Sequence, residues 1–325
     1  MAYYIAIDGG GTKTEAVLCT GDGGIICRTL AGSTNPNDVG AAESGARLRR
    51  AADTLRAALP VGERVTALFA GVSGATGNIH ALESALAGAA DKVTVGNDAL
   101  CLLATAGRGD AVCLIAGTGS VCFVRCGGVL HRIGGWGYLI DGGGGGYDIG
   151  RDALSAVLCA HDGRGDATSL TEAVEKKLGA AAWDAIPMIY RGGKRLIASL
   201  APLVFAAAAG GDAVSCGIIA RNAEHLAGLV RAADGILRRD DPDAVCRVVL
   251  GGGLFADGGI YPALAERVPR GVELIRADVP PVYGAFCEAT GDEPSPDVRG
   301  RFMADYAAAA AEKNGGPMGE HYELQ

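Results

Sequence analysis

One arrangement of strands and turns occurs twice in this chain, and it limits the folds that the chain can adopt. In residues 3–32, an apolar strand runs into the turn Asp8-Gly-Gly-Gly-Thr-Lys-Thr14, and two further strands follow around a second glycine turn. Residues 111–135 repeat this order around the turn Gly117-Thr-Gly-Ser120. Both segments therefore predict a strand, a hairpin rich in Gly and Thr, a strand, a glycine turn and a third strand.

A second pair of segments follows in the same order. The strand predicted at 65–70 ends in Gly71-Val-Ser-Gly74, and the strand predicted at 247–250 ends in Gly251-Gly-Gly253, with a helix after it. One such pair can arise by chance, because short strands between glycines look alike. Two pairs in the same order favour a duplication, which predicts an α/β protein of two similar lobes, each a mixed sheet flanked by helices.

Helices are predicted between these strands. Asn35 and the residues after it supply caps for a helix that extends to about residue 58. The other predicted helices lie at 98–106, 151–160, 196–238 and 298–312. The lobes are expected to comprise residues 1–108 and 109–291. A helix and a tail at 292–325 follow, and the tail after Asn314 is expected to be unstructured.

Charge and composition restrict the partners. The chain of 325 residues has a net charge of −8 and no long run of Lys or Arg, which argues against nucleic acid as a partner. A polyanionic ligand would have to be attracted locally, through backbone N–H groups, helix N-termini or a metal ion. The first residues do not read as a signal peptide, and no apolar stretch is long enough to span a bilayer. We therefore expect a cytoplasmic protein that does not bind a membrane.

The ten cysteines are scattered and include no CxxC pair. Zinc and iron–sulfur centres use clustered ligands, so we interpret the cysteines as reduced thiols packed as small apolar groups. No Ser-His-Asp or zinc-type spacing involves His131, His161 or Cys159, and these residues are expected to be structural.

The first hairpin has the composition of an anion-binding turn. Its glycines permit positive φ angles and let a ligand approach the backbone closely, whereas an ordinary tight hairpin needs only one or two of them. Free N–H groups, two hydroxyls and a lysine would hold phosphate groups, and the candidate residues are Gly10, Gly11, Thr12, Lys13 and Thr14. Asp8 is a candidate for holding Mg²⁺ through water. A Walker A loop is excluded, because that motif needs Gly-Lys-Ser/Thr at the start of a helix.

The second hairpin offers the same chemistry at Gly117, Thr118, Gly119 and Ser120. Two such hairpins facing each other across a cleft could clamp a triphosphate from both sides. The turn formed by Gly251, Gly252 and Gly253 would let the backbone approach a flat ring such as adenine. A tight strand-to-helix turn explains those three glycines equally well.

Asp98 follows the strand predicted at 93–95 and opens the next helix. Ligands of α/β sheets bind at the carboxyl ends of the strands, and a carboxylate there can accept the proton of an attacking hydroxyl. The structural alternative is a helix N-cap, which explains most aspartates at such junctions.

A second glycine-rich segment extends from Gly134-Gly-Trp-Gly137 to Asp148. Ordering so many glycines costs backbone entropy, so we interpret the segment as a loop that closes over a substrate. Trp136 is either a ring that stacks on a sugar or a buried anchor under the loop.

In this order, the motifs resemble the actin-like ATPase superfamily and, within it, the BadF/BadG-type ATPase family, especially its N-acetylglucosamine kinases. The resemblance covers residues 3–290. It rests on the two hairpins and the Gly251 turn together with Ser33-Thr-Asn35, Asn97-Asp-Ala99 and Gly134-Gly-Trp-Gly137. It implies two ribonuclease H-like lobes with a cleft between them, and a kinase that uses ATP and Mg²⁺ to phosphorylate the 6-hydroxyl of N-acetylglucosamine or glucosamine.

The resemblance also implies a role for each motif. The two hairpins would hold phosphates, the Gly251 turn would pack near adenine, and Asp98 would be the general base. The sugar site would be lined by Asn35, Ser73, Asn97, Ser120, Gly135 and Trp136. The family usually carries Gly-Asp-Glu-Gly after the Trp motif, where this chain has Asp141-Gly142-Gly143-Gly144. Either Asp141 or Asp148 replaces the missing carboxylate at the sugar, or the sugar is a different one.

Two other functions agree with the same fold. An activator ATPase of a radical dehydratase or benzoyl-CoA reductase would need cysteines that ligate an iron–sulfur cluster in a glycine-rich setting, and none of the ten has one. A non-catalytic sensor of sugar or nucleotide would tolerate the altered segment at 141–146, but Asp98 and both hairpins argue for catalysis. The sequence leaves the oligomeric state open, with a homodimer as one alternative.

Overall fold

The computed structural model describes residues 1–107, 109–255 and 259–311. Within it the chain forms two compact units, one built from residues 1–108 and 278–325 and the other from residues 109–277. Each unit contains one five-stranded mixed sheet and packed helices, which confirms the predicted α/β class.

The sheet of the first unit consists of β1 (Tyr3–Gly9), β2 (Lys13–Thr20), β3 (Ile25–Gly32), β4 (Val65–Val72) and β5 (Lys92–Gly96). Its strand order is β3-β2-β1-β4-β5. The strands β1, β2 and β3 are antiparallel neighbours, whereas β4 and β5 run parallel to β1. The carboxyl ends of β1, β4 and β5 therefore meet at one edge of the sheet.

Helices cover both faces of this sheet. They are α1 (Pro36–Val39), α2 (Ala41–Arg56), α3 (Ile79–Leu86), α4 (Asp98–Ala104), α11 (Pro281–Thr290) and α12 (Pro296–Ala311). Because side chains alternate along a strand, Ile5 and Ile7 face the cluster formed with α2 and α3. Ala6 faces the opposite cluster, which contains Phe286 of α11 and Phe302 of α12.

The helix predicted from Asn35 to about residue 58 is interrupted. Asn35 caps α1 as predicted, since its side chain accepts a hydrogen bond from Asn37 N at 2.9 Å. Gly40 then adopts a φ of 82°, which ends α1 and starts α2. The helix α3 was not predicted, and α12 begins two residues before the predicted start at residue 298. The predicted unstructured tail after Asn314 lies outside the described residues.

The helix α11 belongs to the first unit, whereas the sequence analysis placed residues 278–291 in the second lobe. It packs on α4 and on β1, and its Tyr283 and Phe286 contact the ring of Phe302. The helices α11 and α4 approach so closely that a Cβ at Gly284 would clash with the backbone carbonyl of Cys101. This packing of the chain's last helices closes one face of the first sheet.

Replacing Gly284 with alanine is therefore expected to destabilise the protein. A glycine-to-alanine change inside a helix ordinarily stabilises by up to about 1 kcal/mol, but here the methyl group would push α11 off α4, at a cost of about 1–3 kcal/mol. Gly300→Ala is the matched control, because Gly300 also lies in a helix and a Cβ there meets nothing within 4 Å. The midpoints of urea and thermal unfolding should fall for Gly284→Ala and rise for Gly300→Ala. Equal shifts would contradict the close packing at Gly284.

The second unit repeats the first sheet. Its strands are β6 (Ala111–Ala116), β7 (Ser120–Cys126), β8 (Val129–Ile133), β9 (Arg247–Gly251) and β10 (Glu273–Arg276). Their order is β10-β9-β6-β7-β8, with β7 and β8 antiparallel to their neighbours and β9 and β10 parallel to β6. The order and the directions match those of the first sheet, as the repeat predicts. The short strand β10 was not predicted.

The helices of the second unit differ most from the prediction. They are α5 (Gly146–His161), α6 (Leu170–Leu178), α7 (Ile186–Ala198), α8 (Ala201–Ala209), α9 (Ala213–Asp240) and α10 (Tyr261–Ala265). The predicted block at 196–238 is divided among α7, α8 and α9, and α5 starts five residues before residue 151. The turn after β9 leads into a single turn of 3₁₀ helix at Gly253–Phe255 rather than into a regular helix.

Taken one at a time, the helices in the described ranges all fall short of the length and apolarity needed to cross a bilayer; α7 and α8 meet that measure only jointly, with a bend of 61° between them.

Candidate active site

The first hairpin connects β1 and β2 and is fixed from within. Gly10 N donates a hydrogen bond to Lys13 O at 2.9 Å. The Thr14 hydroxyl is buried, donates to Gly32 O at 2.9 Å and lies 2.8 Å from the Thr34 hydroxyl. Thr14 therefore holds the hairpin against β3, while the side chains of Thr12 and Lys13 remain exposed.

Two carboxylates lie where the parallel strands of the first sheet end. Asp8 is the penultimate residue of β1 and pairs with Gly71 of β4, and Gly71 pairs in turn with Gly96 at the end of β5. Asp98 follows two residues later, at the first position of α4. Both residues are partly buried, and the charge of Asp98 acts on Asp8.

The cap of α4 is Asn97 and not Asp98. The Asn97 side chain accepts a hydrogen bond from Ala99 N at 3.0 Å. The Asp98 carboxylate interacts with the Ser73 hydroxyl and with the N–H of Ala99, and Ser73 is fixed by its N–H, which donates to Gly9 O at 2.7 Å. Helix capping thus explains Asn97, whereas Asp98 has a side-chain neighbour, Ser73, in addition to the N-terminus of α4.

Both carboxylates hold protons more tightly than an ordinary aspartate. Burial raises the pKa of Asp98 to about 6, although the hydrogen bond from Ser73 acts in the opposite direction. Burial, together with the charges of Asp98 and Glu15, raises the pKa of Asp8 to about 7, although the charge of Lys13 acts in the opposite direction. Asp8 and Asp98 can therefore bind and release protons near neutral pH. A cation beside them would reduce the repulsion between the two carboxylates.

Asn35 lies in the same unit, close to the loop that carries Ser73. A Cβ on Gly74 would clash with the Asn35 side-chain oxygen, and Gly74 has a φ of 73°. The Asn35 oxygen also caps α1, so its orientation is fixed. The first unit therefore brings Asp8, Asp98, Ser73 and Asn35 into one region, while the oxygens of Asn35 and Asn97 already accept hydrogen bonds from helix N-termini.

The second hairpin connects β6 and β7 and rests on the start of α5. Gly117 N donates to Gly119 O at 2.9 Å, and Gly117 O and Thr118 O accept the N–H groups of Gly146 and Tyr147. Among the described residues, neither Thr118 N–H nor Gly119 N–H donates a hydrogen bond. The tip of the hairpin thus presents two free donors, which suits an anion.

The Ser120 hydroxyl is engaged inside the protein, because it donates a hydrogen bond to Gly143 O. Gly144 N donates in turn to the buried Asn222 side chain at 2.9 Å. These two hydrogen bonds fasten the segment around Gly143 between the hairpin and α9.

The glycine run at 142–146 is required by close packing. A Cβ at Gly143 or Gly144 would clash with His225 or Leu226 of α9, and one at Gly145 would lie 2.6 Å from Gly119 Cα. Residues 143–146 are buried. This run was predicted to be part of a closing loop, whereas its missing side chains let three backbone segments pack against each other.

The exposed part of the segment is 136–140. Trp136 is 60% exposed, so its interpretation as a buried anchor was wrong. The Arg132 guanidinium lies 4.5 Å from the centre of the Trp136 ring. Asp141 folds back on this turn, since its carboxylate accepts a hydrogen bond from Trp136 N at 3.0 Å. At the base of the turn, a Cβ at Gly135 would lie 2.7 Å from Val121 Cβ.

A polar pocket of about 120 Å³ opens beside the second hairpin, entirely within the second unit. Its lining combines the hairpin residues 118–120 with Tyr138, Asp141, Asp148 and Lys194. Lys194 was not predicted. The signal that could have found it is the pair Gly192-Gly193 just before it, because two adjacent glycines in an apolar helical pattern mark a break.

The Gly251 turn packs tightly against the end of β6. Gly252 has a φ of 95°, and a Cβ there would clash with Ala116 O. Gly253 has open space around it. Packing thus explains Gly252 fully, and contact of this turn with adenine remains a prediction.

All ten cysteines are free thiols. In the described part of the chain, no group of three or more His, Cys, Asp or Glu side chains is arranged to hold a metal ion. His161 stacks on Trp183, with the ring centres 3.5 Å apart, which agrees with its predicted structural role.

The known proteins that resemble this chain include two curated kinases and a solved structure. The N-acetylmuramic acid/N-acetylglucosamine kinase of Clostridium acetobutylicum is 33% identical over 258 residues, which cover 75% of this chain and 83% of the relative. The N-acetyl-D-glucosamine kinase of Dictyostelium discoideum is 30% identical over 308 residues, covering 87% and 96%. A crystal structure from Chromobacterium violaceum, described provisionally as an N-acetylglucosamine kinase, has 26% identity and a TM-score of 0.67, covering 88% of this chain and 98% of the other. The model of the BadF/BadG/BcrA/BcrD ATPase family matches residues 5–289, and this chain belongs to that family.

Proposed function

We propose that this protein is an ATP-dependent sugar kinase that transfers the γ-phosphate of ATP to the 6-hydroxyl of N-acetylglucosamine. The observation that carries the proposal is Asp98, a partly buried carboxylate at the first position of α4 that interacts with the Ser73 hydroxyl and has a pKa of about 6. The names of the two curated relatives supply the substrate class, and the family supplies the use of ATP.

In this reaction the Asp98 carboxylate accepts the proton of the sugar hydroxyl while the hydroxyl oxygen forms its bond to the γ-phosphorus. The bond between that phosphorus and the bridging oxygen of ADP breaks, and ADP leaves. A base is most effective when its pKa lies near the working pH, because it is then both ionised and basic. Ser73 orients the carboxylate, and the exposed Lys13 is close enough to Asp8 to influence its charge.

Asp8 is the residue that would hold Mg²⁺. A partly buried carboxylate whose pKa is about 7, next to a second carboxylate, lacks compensation of its negative charge, and hard divalent cations prefer carboxylate oxygens. A bound Mg²⁺ supplies charge stabilisation to the transferring phosphate. Since the described residues offer no three-ligand cluster, water and phosphate oxygens would complete the coordination.

The phosphate contacts are divided between residues that touch the ligand and residues that hold the turn. Backbone N–H groups of Thr118 and Gly119 are available for phosphate oxygens. Thr14 and Ser120, whose hydroxyls already donate to carbonyl groups, stabilise the two hairpins instead.

For the sugar, we propose Asn35 and Ser73 as lining residues of the first unit, and Gly135 and Trp136 as candidate sugar-binding residues of the second unit. The exposed Trp136 ring can stack on a pyranose face. Asp141 is engaged with Trp136 N, so it would act on the sugar through the position of that tryptophan. We place the reaction in the cytoplasm, which supplies ATP and keeps thiols reduced.

The experiment is to incubate the purified protein with ATP, Mg²⁺ and a panel of N-acetylglucosamine, glucosamine, glucose and N-acetylmuramic acid, and to follow ADP release. We expect release that depends on an acetylated amino sugar, and NMR of the product should place the phosphate on oxygen 6. Equal release with and without sugar would indicate an ATPase of another function. Preference for N-acetylmuramic acid would move the proposal to that sugar.

A further inference from the structure

We propose that Lys194 binds a phosphate group of the nucleoside triphosphate in the pocket beside the second hairpin. The inference rests on the proposed function and extends it by one ligand residue. The pocket of about 120 Å³ has room for several atoms beyond a water molecule, whose share of liquid volume is about 30 Å³.

The charge of Lys194 is not neutralised by the protein. Within the described ranges its ammonium group forms no ion pair, and its nearest aromatic neighbour is the Tyr138 ring, whose centre lies 5.8 Å from Nζ. Lysine heads are normally solvated or paired, so an unpaired one at the wall of a polar pocket is available for an anionic ligand.

Each of the two carboxylates of the pocket has a partner within the protein. Asp148 is 3.3 Å from Arg151 Nη1, and it accepts a hydrogen bond from Gly145 N at 3.3 Å. Asp141 accepts the Trp136 N–H. The pocket therefore offers a ligand three donors, namely Lys194 Nζ and the backbone N–H groups of Thr118 and Gly119, beside carboxylate oxygens that can still accept hydrogen bonds. The three donors suit phosphate oxygens, which only accept hydrogen bonds.

The backbone is broken at the point that delivers Lys194. Gly193 has φ 55° and ψ −150° inside α7, a conformation that residues with a side chain rarely adopt. A Cβ at Gly192 would lie 2.5 Å from a Leu196 methyl carbon. The glycine pair therefore interrupts the helix one residue before Lys194. A regular helix would carry residue 194 onward along the helix axis without that change of direction.

The test compares Lys194→Met, which keeps the length and removes the charge, with Lys194→Arg, which keeps the charge. Binding of the non-hydrolysable analogue AMPPNP with Mg²⁺ is measured by calorimetry without sugar, and KM is measured for ATP and for the sugar. We expect Lys194→Met to weaken AMPPNP binding by about 10- to 100-fold, the value of one charge-assisted hydrogen bond. Lys194→Arg should recover most of the affinity, and the KM for the sugar should stay unchanged.

Lys177→Met is the matched control, because Lys177 is exposed on α6 and lies outside the pocket. If AMPPNP does not bind the unaltered protein, the proposed kinase function fails before Lys194 is tested. If AMPPNP binds and Lys194→Met binds it equally well, the inference about Lys194 alone is overturned. A rise in the sugar KM with unchanged AMPPNP affinity would also overturn it. Lys194→Gln provides a second neutral variant if the methionine variant does not fold.

Discussion

The variant Asp98→Asn is expected to lose kinase turnover by about 10²- to 10⁴-fold, the usual contribution of a positioned general base. Its affinity for ATP should stay nearly the same, because the nucleotide contacts that we propose come from other residues. The measurement is kcat for ADP formation with saturating sugar, together with calorimetric binding of AMPPNP.

The substitution is a clean one for physical reasons. Asparagine has nearly the volume of aspartate, and its side-chain oxygen can still accept the hydrogen bond from the Ser73 hydroxyl. The cap of α4 is Asn97, so the helix keeps its N-terminal hydrogen bond. What disappears is the ability to accept the proton of the sugar hydroxyl.

Asp91→Asn is the control, because Asp91 is exposed and its ion pair with Arg64, at 3.7 Å, lies on the surface. Such an ion pair contributes little to stability. It should retain full activity. A variant Asp98→Asn that turned over sugar at the rate of the unaltered protein would remove the general-base role from this residue, whatever the sugar proves to be.

The sheets could be predicted because their signal is local. Apolar strands separated by glycine turns occur twice in the sequence, and the five strands of each sheet have the same spatial order. The exception is β10, whose four residues are mostly exposed and carry charges at both ends. A strand so short owes its conformation to pairing with β9, a contact between distant parts of the sequence.

The assignment of α11 to the first unit could not be predicted for a related reason. Its apolar residues would suit either sheet, and only the three-dimensional fit of Gly284 against Cys101 selects one. Sequence periodicity predicts that a helix has an apolar face, and it gives no information about the partner of that face.

In the candidate site, too, local features could be predicted from the sequence and contacts between distant residues could not. The position of Asp98 after a strand was readable, but the choice between base and cap depended on Asn97, which also suits a cap. Glycines carry no side-chain pattern, so the run at 142–146 read equally as a mobile loop or as close packing against α9. Likewise, Thr14 and Ser120 look like phosphate ligands until their hydroxyls are found to donate to Gly32 and Gly143.

The variant Asp8→Asn is expected to be both less active and more stable. Turnover should fall by about 10- to 100-fold, as for residues that hold a metal through an intervening group. The stability effect follows from the raised pKa. An acid whose pKa in the folded protein exceeds its unfolded value binds more protons when folded, so the free energy of unfolding falls as pH rises between the two values.

For Asp8 the two pKa values are 3.8 and about 7, so the loss accumulates from about pH 4 to pH 7 and is complete above that. At about 1.4 kcal/mol for each pKa unit, the cost reaches on the order of a few kcal/mol at pH 8, and asparagine abolishes it. Calorimetric unfolding without nucleotide and with a chelator should therefore show a melting temperature above that of the unaltered protein by several degrees at pH 8, and by less at pH 5. Asp91→Asn should show no such trend. If the difference in melting temperature between Asp8→Asn and the unaltered protein stayed constant from pH 5 to pH 8, the pKa of Asp8 would not be raised in the folded protein. The proposed magnesium role would then lose its physical basis.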